Sequence, residues 1–201
     1  REALIALPGF DAEDVSPIRD PGNNTVHGLR LLTDAQSVAW FNPAMQKIQQ
    51  KADALLPGRV NVLTCRPCAA PKSVLIYSYS DTTPGDYLLY KPAEDKFERI
   101  AEVRPGHRAD LMANKELYRA KARDGADLPV WVTKHEAAGG PRPAVVVVHG
   151  GPWVRGGEWR YDPEAQFLAT RGYVVIEPEF RGSTGYGFKH YRSGWKQWGQ
   201  L

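Results

Sequence analysis

The residues that could carry chemistry lie in two glycine-rich segments, residues 149–153 (His-Gly-Gly-Pro-Trp) and 181–187 (Arg-Gly-Ser-Thr-Gly-Tyr-Gly). Consecutive glycines such as Gly150 and Gly151 let the backbone turn sharply and leave N–H groups uncovered by side chains. Uncovered N–H groups are the donors that a developing oxyanion needs. We therefore predict an oxyanion-binding loop at Gly150 and Gly151, while the same pair would also suit a simple turn. The second segment is predicted to line the same crevice.

Other chemistries have weaker support. Neither G-x-G-x-x-G nor G-x-x-x-x-G-K-[ST] follows a strand, so the sequence predicts no nucleotide cofactor. Cys65 and Cys68 are the only cysteines, in a C-R-P-C arrangement without a second Cys/His pair. This favours structural thiols over a redox or metal site and leaves open whether the two are bridged. We predict no cofactor and no metal.

Composition excludes several classes of partner. The 26 Lys and Arg against 23 Asp and Glu leave a formal charge of +3, which is too small to indicate nucleic acid or an anionic membrane. The longest apolar run, Ala144–Val148, is far shorter than the roughly 20 residues of a membrane-spanning helix. Hydrophobic residues make up 42% of the chain, which excludes global disorder. We predict neither nucleic acid nor a membrane as a partner.

The two glycine-rich segments each follow a predicted strand. Ala144–Val148 is apolar and β-branched without alternation, which is typical of a strand covered on both faces. Asp162 can cap a helix that begins at Pro163 and ends before Gly172, and residues 173–176 form the next strand. This strand, helix and strand predict a parallel crossover of an α/β sheet. Because ligands gather at the carboxyl ends of such strands, both segments are expected at one site.

The first half has a different pattern. Residues 74–79, 87–90 and 97–103 predict three short antiparallel strands, as in one blade of a β-propeller or one sheet of a sandwich. One amphipathic helix interrupts this region after Asn42, a capping residue, and ends near Pro57.

A change in pattern near residue 115 divides the chain. Residues 117–123 and 128–134 predict two paired strands ahead of the crossover. We therefore predict two parts, residues 1–115 with antiparallel strands and residues 116–201 with an α/β sheet.

Several motifs in order resemble the prolyl oligopeptidase family of serine peptidases, most closely its acylaminoacyl-peptidase and dipeptidyl-aminopeptidase branch. They are His-Gly-Gly-Pro-Trp, then Gln-Phe-Leu-Ala-Thr-Arg-Gly-Tyr at residues 166–173, then Arg-Gly-Ser-Thr-Gly-Tyr-Gly, then Trp198-Gly199. Residues 118–130 are similar to that family's entrance into its hydrolase domain, and residues 1–115 resemble the closing part of its β-propeller more loosely. The resemblance implies propeller strands followed by the N-terminal part of an α/β-hydrolase sheet, acting on small peptide substrates.

The resemblance also implies roles for single residues. The N–H groups of Gly150 and Gly151 are expected in the oxyanion hole. His149 occupies a position where sister branches have a tyrosine that donates to the same hole, and we favour a loop-shaping role for it over donation. Arg181 and Tyr186 are predicted to contact the substrate. Glu158 is a further candidate, by position only, for gripping a substrate's amino terminus.

The resemblance stops short of a complete active site. The family's nucleophile lies on a G-x-S-x-G elbow, followed by the acid and the base. None of the seven serines here has glycine two positions before it, and all five histidines precede the expected nucleophile. We expect these 201 residues to be a segment of a longer peptidase, inactive alone and dependent on the remainder of the same polypeptide. An esterase-like acyl hydrolase and a non-catalytic propeller interaction module are the alternatives, and a homo-oligomer is left open.

Overall fold

A computed structural model of the chain describes residues 5–12, 15–136 and 140–200. The described residues form three sheets and three α-helices. The strands are β1 (Ser16–Arg19), β2 (Val26–Leu32), β3 (Gln36–Trp40), β4 (Val60–Cys65), β5 (Val74–Tyr79), β6 (Asp86–Lys91), β7 (Lys96–Glu102), β8 (Asn114–Lys121), β9 (Asp127–Lys134), β10 (Ala144–Val146) and β11 (Val174–Pro178). The helices are α1 (Pro43–Leu55), α2 (Pro163–Ala169) and α3 (Phe188–Arg192), and a 3-10 turn spans Ala109–Leu111.

Two antiparallel sheets make up the first half. One has the order β1-β2-β3 and the other β4-β5-β6-β7, each strand pairing with its neighbour in the chain. The predicted three-strand meander is confirmed as β5, β6 and β7, and β4 extends it. The predicted helix is confirmed as α1, whose N-cap Asn42 accepts hydrogen bonds from the N–H groups of Ala44 and Met45.

Cys65 and Cys68 form a disulfide at the end of β4. The buried carboxylate of Asp20 accepts hydrogen bonds from the N–H of Cys68 (2.6 Å) and of Ala69 (3.3 Å), and His27 Nε2 lies 2.9 Å from it. The Cys68 N–H is the main reason that the pKa of Asp20 lies below its ordinary value. These bonds attach the disulfide loop to the first sheet. They agree with a structural role for the two cysteines.

The third sheet has the order β10-β11-β9-β8. β10 and β11 pair in parallel, with Ala144 opposite Val174, so the predicted crossover pairing is confirmed. β9 pairs antiparallel with both β11 and β8, which confirms the two predicted strands ahead of the crossover. α2 lies between β10 and β11 in the chain, and its N-cap Asp162 accepts from the N–H groups of Glu164 and Ala165.

The first strand of the crossover differs from its prediction. It ends at Val146 rather than Val148, and the side chains of Val146 and Val148 are 58% and 63% exposed instead of buried. Val147 packs with the small apolar cluster under α2, whereas Val146 and Val148 on the opposite face are exposed in the described part of the chain. An apolar β-branched run therefore does not require two covered faces here. No helix within the described ranges has the length and apolar character needed to cross a bilayer.

Gln166 joins the second sheet to the third. Its Oε1 accepts from the N–H of Ala113 (2.8 Å), and its Nε2 donates to the carbonyl oxygens of Ala113 (2.7 Å) and Asp81 (3.0 Å). The Asp81 carboxylate accepts from the N–H of Lys115 (2.8 Å), and burial raises the pKa of Asp81. Since all of these groups are buried, the junction depends on their mutual hydrogen bonds.

Candidate functional site

A cleft of about 870 Å³ opens where β10 and β11 end. Its walls come from the loop after β10, the loop after β11, the turn between β8 and β9, and the segment after α3. Its lining includes His149, Gly151, Pro152, Phe180, Arg181, Asp124, Gln197 and Trp198. The position agrees with the general tendency of α/β sheets to bind ligands at strand carboxyl ends.

Gly150 and Gly151 differ in what they require of the backbone. Gly151 has a φ of 137°, a region that side-chain-bearing residues rarely adopt, and a Cβ there would lie 2.9 Å from Val154 Cγ2. A Cβ on Gly150 would meet no atom within 4 Å. Neither N–H donates to an acceptor within the described part of the chain. The loop therefore has two backbone donors without acceptors, one of them on the cleft-lining Gly151, and its shape depends on glycine at position 151.

The His149 ring is held inside this loop. Its Nδ1 lies 2.7 Å from the carbonyl oxygen of Gly150, and its Nε2 lies 3.1 Å from Ser183 Oγ. One ring face stacks on Phe180, with centroids 4.3 Å apart and planes 14° apart. A Cβ on Gly156 would lie 2.1 Å from His149 Cδ2, so glycine is needed to leave room for the ring.

Glu179 lies beneath the same loop and is 1% exposed. Its Oε2 accepts from the N–H of Gly156 (2.9 Å) and its Oε1 from the N–H of Gly157 (2.6 Å). The same Oε2 lies 3.5 Å from His149 Nε2. The sequence analysis did not identify Glu179 as a site residue. Its position directly after a buried strand was the available signal, because a buried carboxylate must find hydrogen-bond partners.

Arg181 lines the cleft and is paired with Asp124 from the β8–β9 turn. The Arg181 guanidinium holds the pKa of Asp124 below its usual value. This pair reduces the positive charge available to a substrate carboxylate. Lys121, another cation of the cleft wall, is also paired, with its Nζ 2.7 Å from Asp127 Oδ1.

Tyr186 does not line the cleft. It is 7% exposed and lies behind the loop, between the rings of Phe10 and His190 and under the guanidinium of Arg155. Burial, followed by the nearby charge of Glu179, raises the pKa of Tyr186 to about 12. The glycines that flank Tyr186 turn the chain inward, so the structure gives this side chain a packing position in place of the predicted substrate contact.

Glu158 is also separate from the cleft. It lies in a smaller cavity of about 320 Å³ and its Oε1 is 2.8 Å from Arg160 Nη1. Lys115 and Glu177 line the same cavity, with Lys115 Nζ 3.1 Å from Glu177 Oε2. Burial raises the pKa of Glu177, against the opposing effect of Lys115. The structure therefore does not bring Glu158 together with the glycine loop.

Comparison with known proteins gives a consistent result. Residues 159–201 match the prolyl oligopeptidase family. The chain is 29% identical over 204 residues to dipeptidyl aminopeptidase BIII of Pseudoxanthomonas mexicana, covering 96% of this chain and 29% of that protein. It is 28% identical over 149 residues to dipeptidyl peptidase family member 6 of Caenorhabditis elegans, covering 63% of this chain and 20% of that protein.

Solved structures show a similar fold. The Porphyromonas gingivalis dipeptidyl peptidase 4 superposes with a TM-score of 0.63 at 19% identity, covering 96% of this chain and 28% of that one. A puromycin-hydrolyzing peptidase of Mycobacterium tuberculosis gives a TM-score of 0.61 at 20% identity, covering 92% and 28%. The chain spans less than a third of the length of each of these relatives.

Proposed function

These similarities support the prolyl oligopeptidase family for this chain, in its dipeptidyl-peptidase and acylaminoacyl-peptidase-like part, and on that basis we propose that it belongs to a serine peptidase of short peptides. In this proposal residues 1–115 are the end of a β-propeller and residues 116–201 begin an α/β-hydrolase domain. The two antiparallel sheets of the first half and the parallel β10–β11 pair support that division. They also favour a peptidase over an esterase, which would lack the propeller.

The proposed contribution of this chain is the oxyanion hole. Attack of a serine on a peptide carbonyl places negative charge on the carbonyl oxygen, and preorganised N–H donors stabilise that charge. The observation that carries the proposal is that the N–H groups of Gly150 and of the cleft-lining Gly151 have no acceptor in the described part of the chain. His149 shapes the loop by its bond to the Gly150 carbonyl, and does not itself donate to the oxyanion.

The other cleft residues receive more limited roles. Arg181, paired with Asp124, forms a polar wall that orients the peptide. Pro152 and Trp198 add apolar surface to the same cleft, which suits the side chains of a short peptide. The nucleophile, base and acid come from other parts of the polypeptide, because no G-x-S-x-G elbow occurs in these 201 residues.

Labelling with a serine-reactive fluorophosphonate tests this assignment. The complete gene product is expected to hydrolyse dipeptidyl or acyl-peptide chromogenic substrates, and the fluorophosphonate is expected to label it and abolish turnover. The 201-residue chain is expected to show neither turnover nor labelling. Inhibitor-sensitive turnover by the 201-residue chain would contradict the placement of the nucleophile. A complete product that is folded but neither labelled nor active on these substrates would contradict the proposed function.

A further inference from the structure

Glu179 is a buried carboxylate that the proposed reaction does not use. It follows β11 directly, and its own N–H donates to the carbonyl oxygen of Pro129 in β9 (2.9 Å). The backbone at Glu179 is therefore fixed to the sheet, while its side chain bonds to the loop at Gly156 and Gly157. A carboxylate with two backbone donors and little solvent is held firmly, because moving it would leave a buried charge without partners.

We propose that Glu179 is a positioning residue that fixes the oxyanion loop through the His149 ring. The inference rests on the proposed function for its catalytic consequence, whereas the positioning itself is a property of this chain. Glu179 holds the segment at Gly156 against the His149 ring, and Phe180 stacks on that ring. The ring is thereby confined by two fixed neighbours.

The confined ring then sets the orientation of one peptide unit. The Gly150 carbonyl oxygen can only accept, so His149 Nδ1, at 2.7 Å, must carry the proton. In the neutral ring Nε2 then accepts from the hydroxyl of the fully buried Ser183, and Glu179 Oε2 lies 3.5 Å from the same nitrogen. The Gly150–Gly151 peptide is planar and trans, so fixing its carbonyl also fixes the Gly151 N–H, which points to the opposite side. Glu179 thus acts on Gly151 through His149.

The position of the proton on His149 tests the proposal without any need for activity. In the wild-type 201-residue chain, long-range ¹H–¹⁵N correlation spectra at a pH where the ring is neutral should place the proton on Nδ1. A neutral ring with its proton on Nε2 would overturn the proposal, because the bond to the Gly150 carbonyl would then be absent.

Variants of Glu179 extend the test. Glu179→Gln keeps the side chain's size but offers one carbonyl oxygen to two N–H groups. It should displace the segment at Gly156 and shift the ¹⁵N resonances of both His149 ring nitrogens, because the ring loses a fixed neighbour and the charge 3.5 Å from Nε2. Glu177→Gln, two residues earlier in β11 and paired with Lys115, is the matched control and should leave the His149 ring unchanged. Equal spectra for the two variants would overturn the proposal.

A second variant covers the case in which Glu179→Gln does not fold. Gly156→Ala keeps the carboxylate and pushes the ring, since the new Cβ would overlap His149 Cδ2. It should also shift the ¹⁵N resonances of the His149 ring nitrogens. An unchanged ring in a folded Gly156→Ala chain would count against the confinement that we propose.

Kinetics of the complete gene product separate this inference from the proposed function. Glu179→Gln should lower kcat about 10- to 100-fold and leave KM within about twofold. A displaced donor stabilises the oxyanion of the transition state less, while binding of the ground-state substrate hardly depends on it. Peptidase activity that Glu179→Gln leaves unchanged would overturn the catalytic consequence alone. If the spectra change as expected in a product without peptidase activity, the positioning role is supported and the proposed function fails.

Discussion

Replacing Gly151 with alanine should lower kcat/KM of the complete peptidase about 100- to 1,000-fold, the range found when one oxyanion-hole donor is lost. The reason is steric. Alanine at a φ of 137° is strained, and its Cβ would lie 2.9 Å from Val154 Cγ2 and 3.1 Å from the Trp153 nitrogen. The loop must therefore move, and the Gly151 N–H moves with it.

Gly150→Ala is the matched control for this prediction. A Cβ at Gly150 meets nothing within 4 Å, and the substitution keeps the N–H group. Because the loop need not move, it should lower kcat/KM by no more than about tenfold, far less than Gly151→Ala. Steady-state kinetics on a chromogenic peptide measure both variants. Equal losses for the two would show that the conformation at Gly151 is not what activity depends on.

Replacing Gln166 with methionine should destabilise the chain by about 3 kcal/mol, since it leaves buried backbone groups without partners. Methionine has a similar volume but removes the acceptor of the Ala113 N–H and the donor to the carbonyl oxygens of Ala113 and Asp81. These groups lie at the junction of the second and third sheets, so the loss should also loosen the attachment of α2.

Urea denaturation followed by tryptophan fluorescence measures this effect. Gln50→Met, at an exposed position of α1, is the control and should change the free energy of unfolding by less than ~0.5 kcal/mol. Identical unfolding midpoints for the two variants would show that the Gln166 hydrogen bonds do not hold the junction.

Local signals predicted much of the fold. Asn42 and Asp162 begin α1 and α2 because a side-chain oxygen next to proline at the first helical position satisfies free N–H groups within the same few residues. The parallel pairing of β10 and β11 followed from the length of the crossover. In each case the residues that determine the helix start or the strand pairing lie within about 35 residues of one another, so the sequence pattern predicts the structure.

Side-chain contacts between separate elements could not be predicted in this way, whatever their separation in the sequence. The bonds from Gly156 and Gly157 to Glu179 span 23 and 22 residues, and the Gln166 contacts with Ala113 span 53. The resemblance predicts a substrate contact for Tyr186, yet only the fold shows that its ring packs against Phe10. The exposure of Val146 depends on which elements pack against β10. The apolar composition of the strand does not predict those packing partners.

The central claim is that the loop at Gly150 and Gly151 forms the oxyanion hole of a serine peptidase. A crystal structure of the complete gene product with a peptidyl boronic acid bound to its serine tests this most directly, because the tetrahedral adduct carries an oxygen where the oxyanion forms. The account predicts a backbone nitrogen of Gly150 or Gly151 within about 2.7–3.1 Å of that oxygen. An adduct whose oxygen is bound by other donors, with both nitrogens beyond ~3.5 Å, would contradict it.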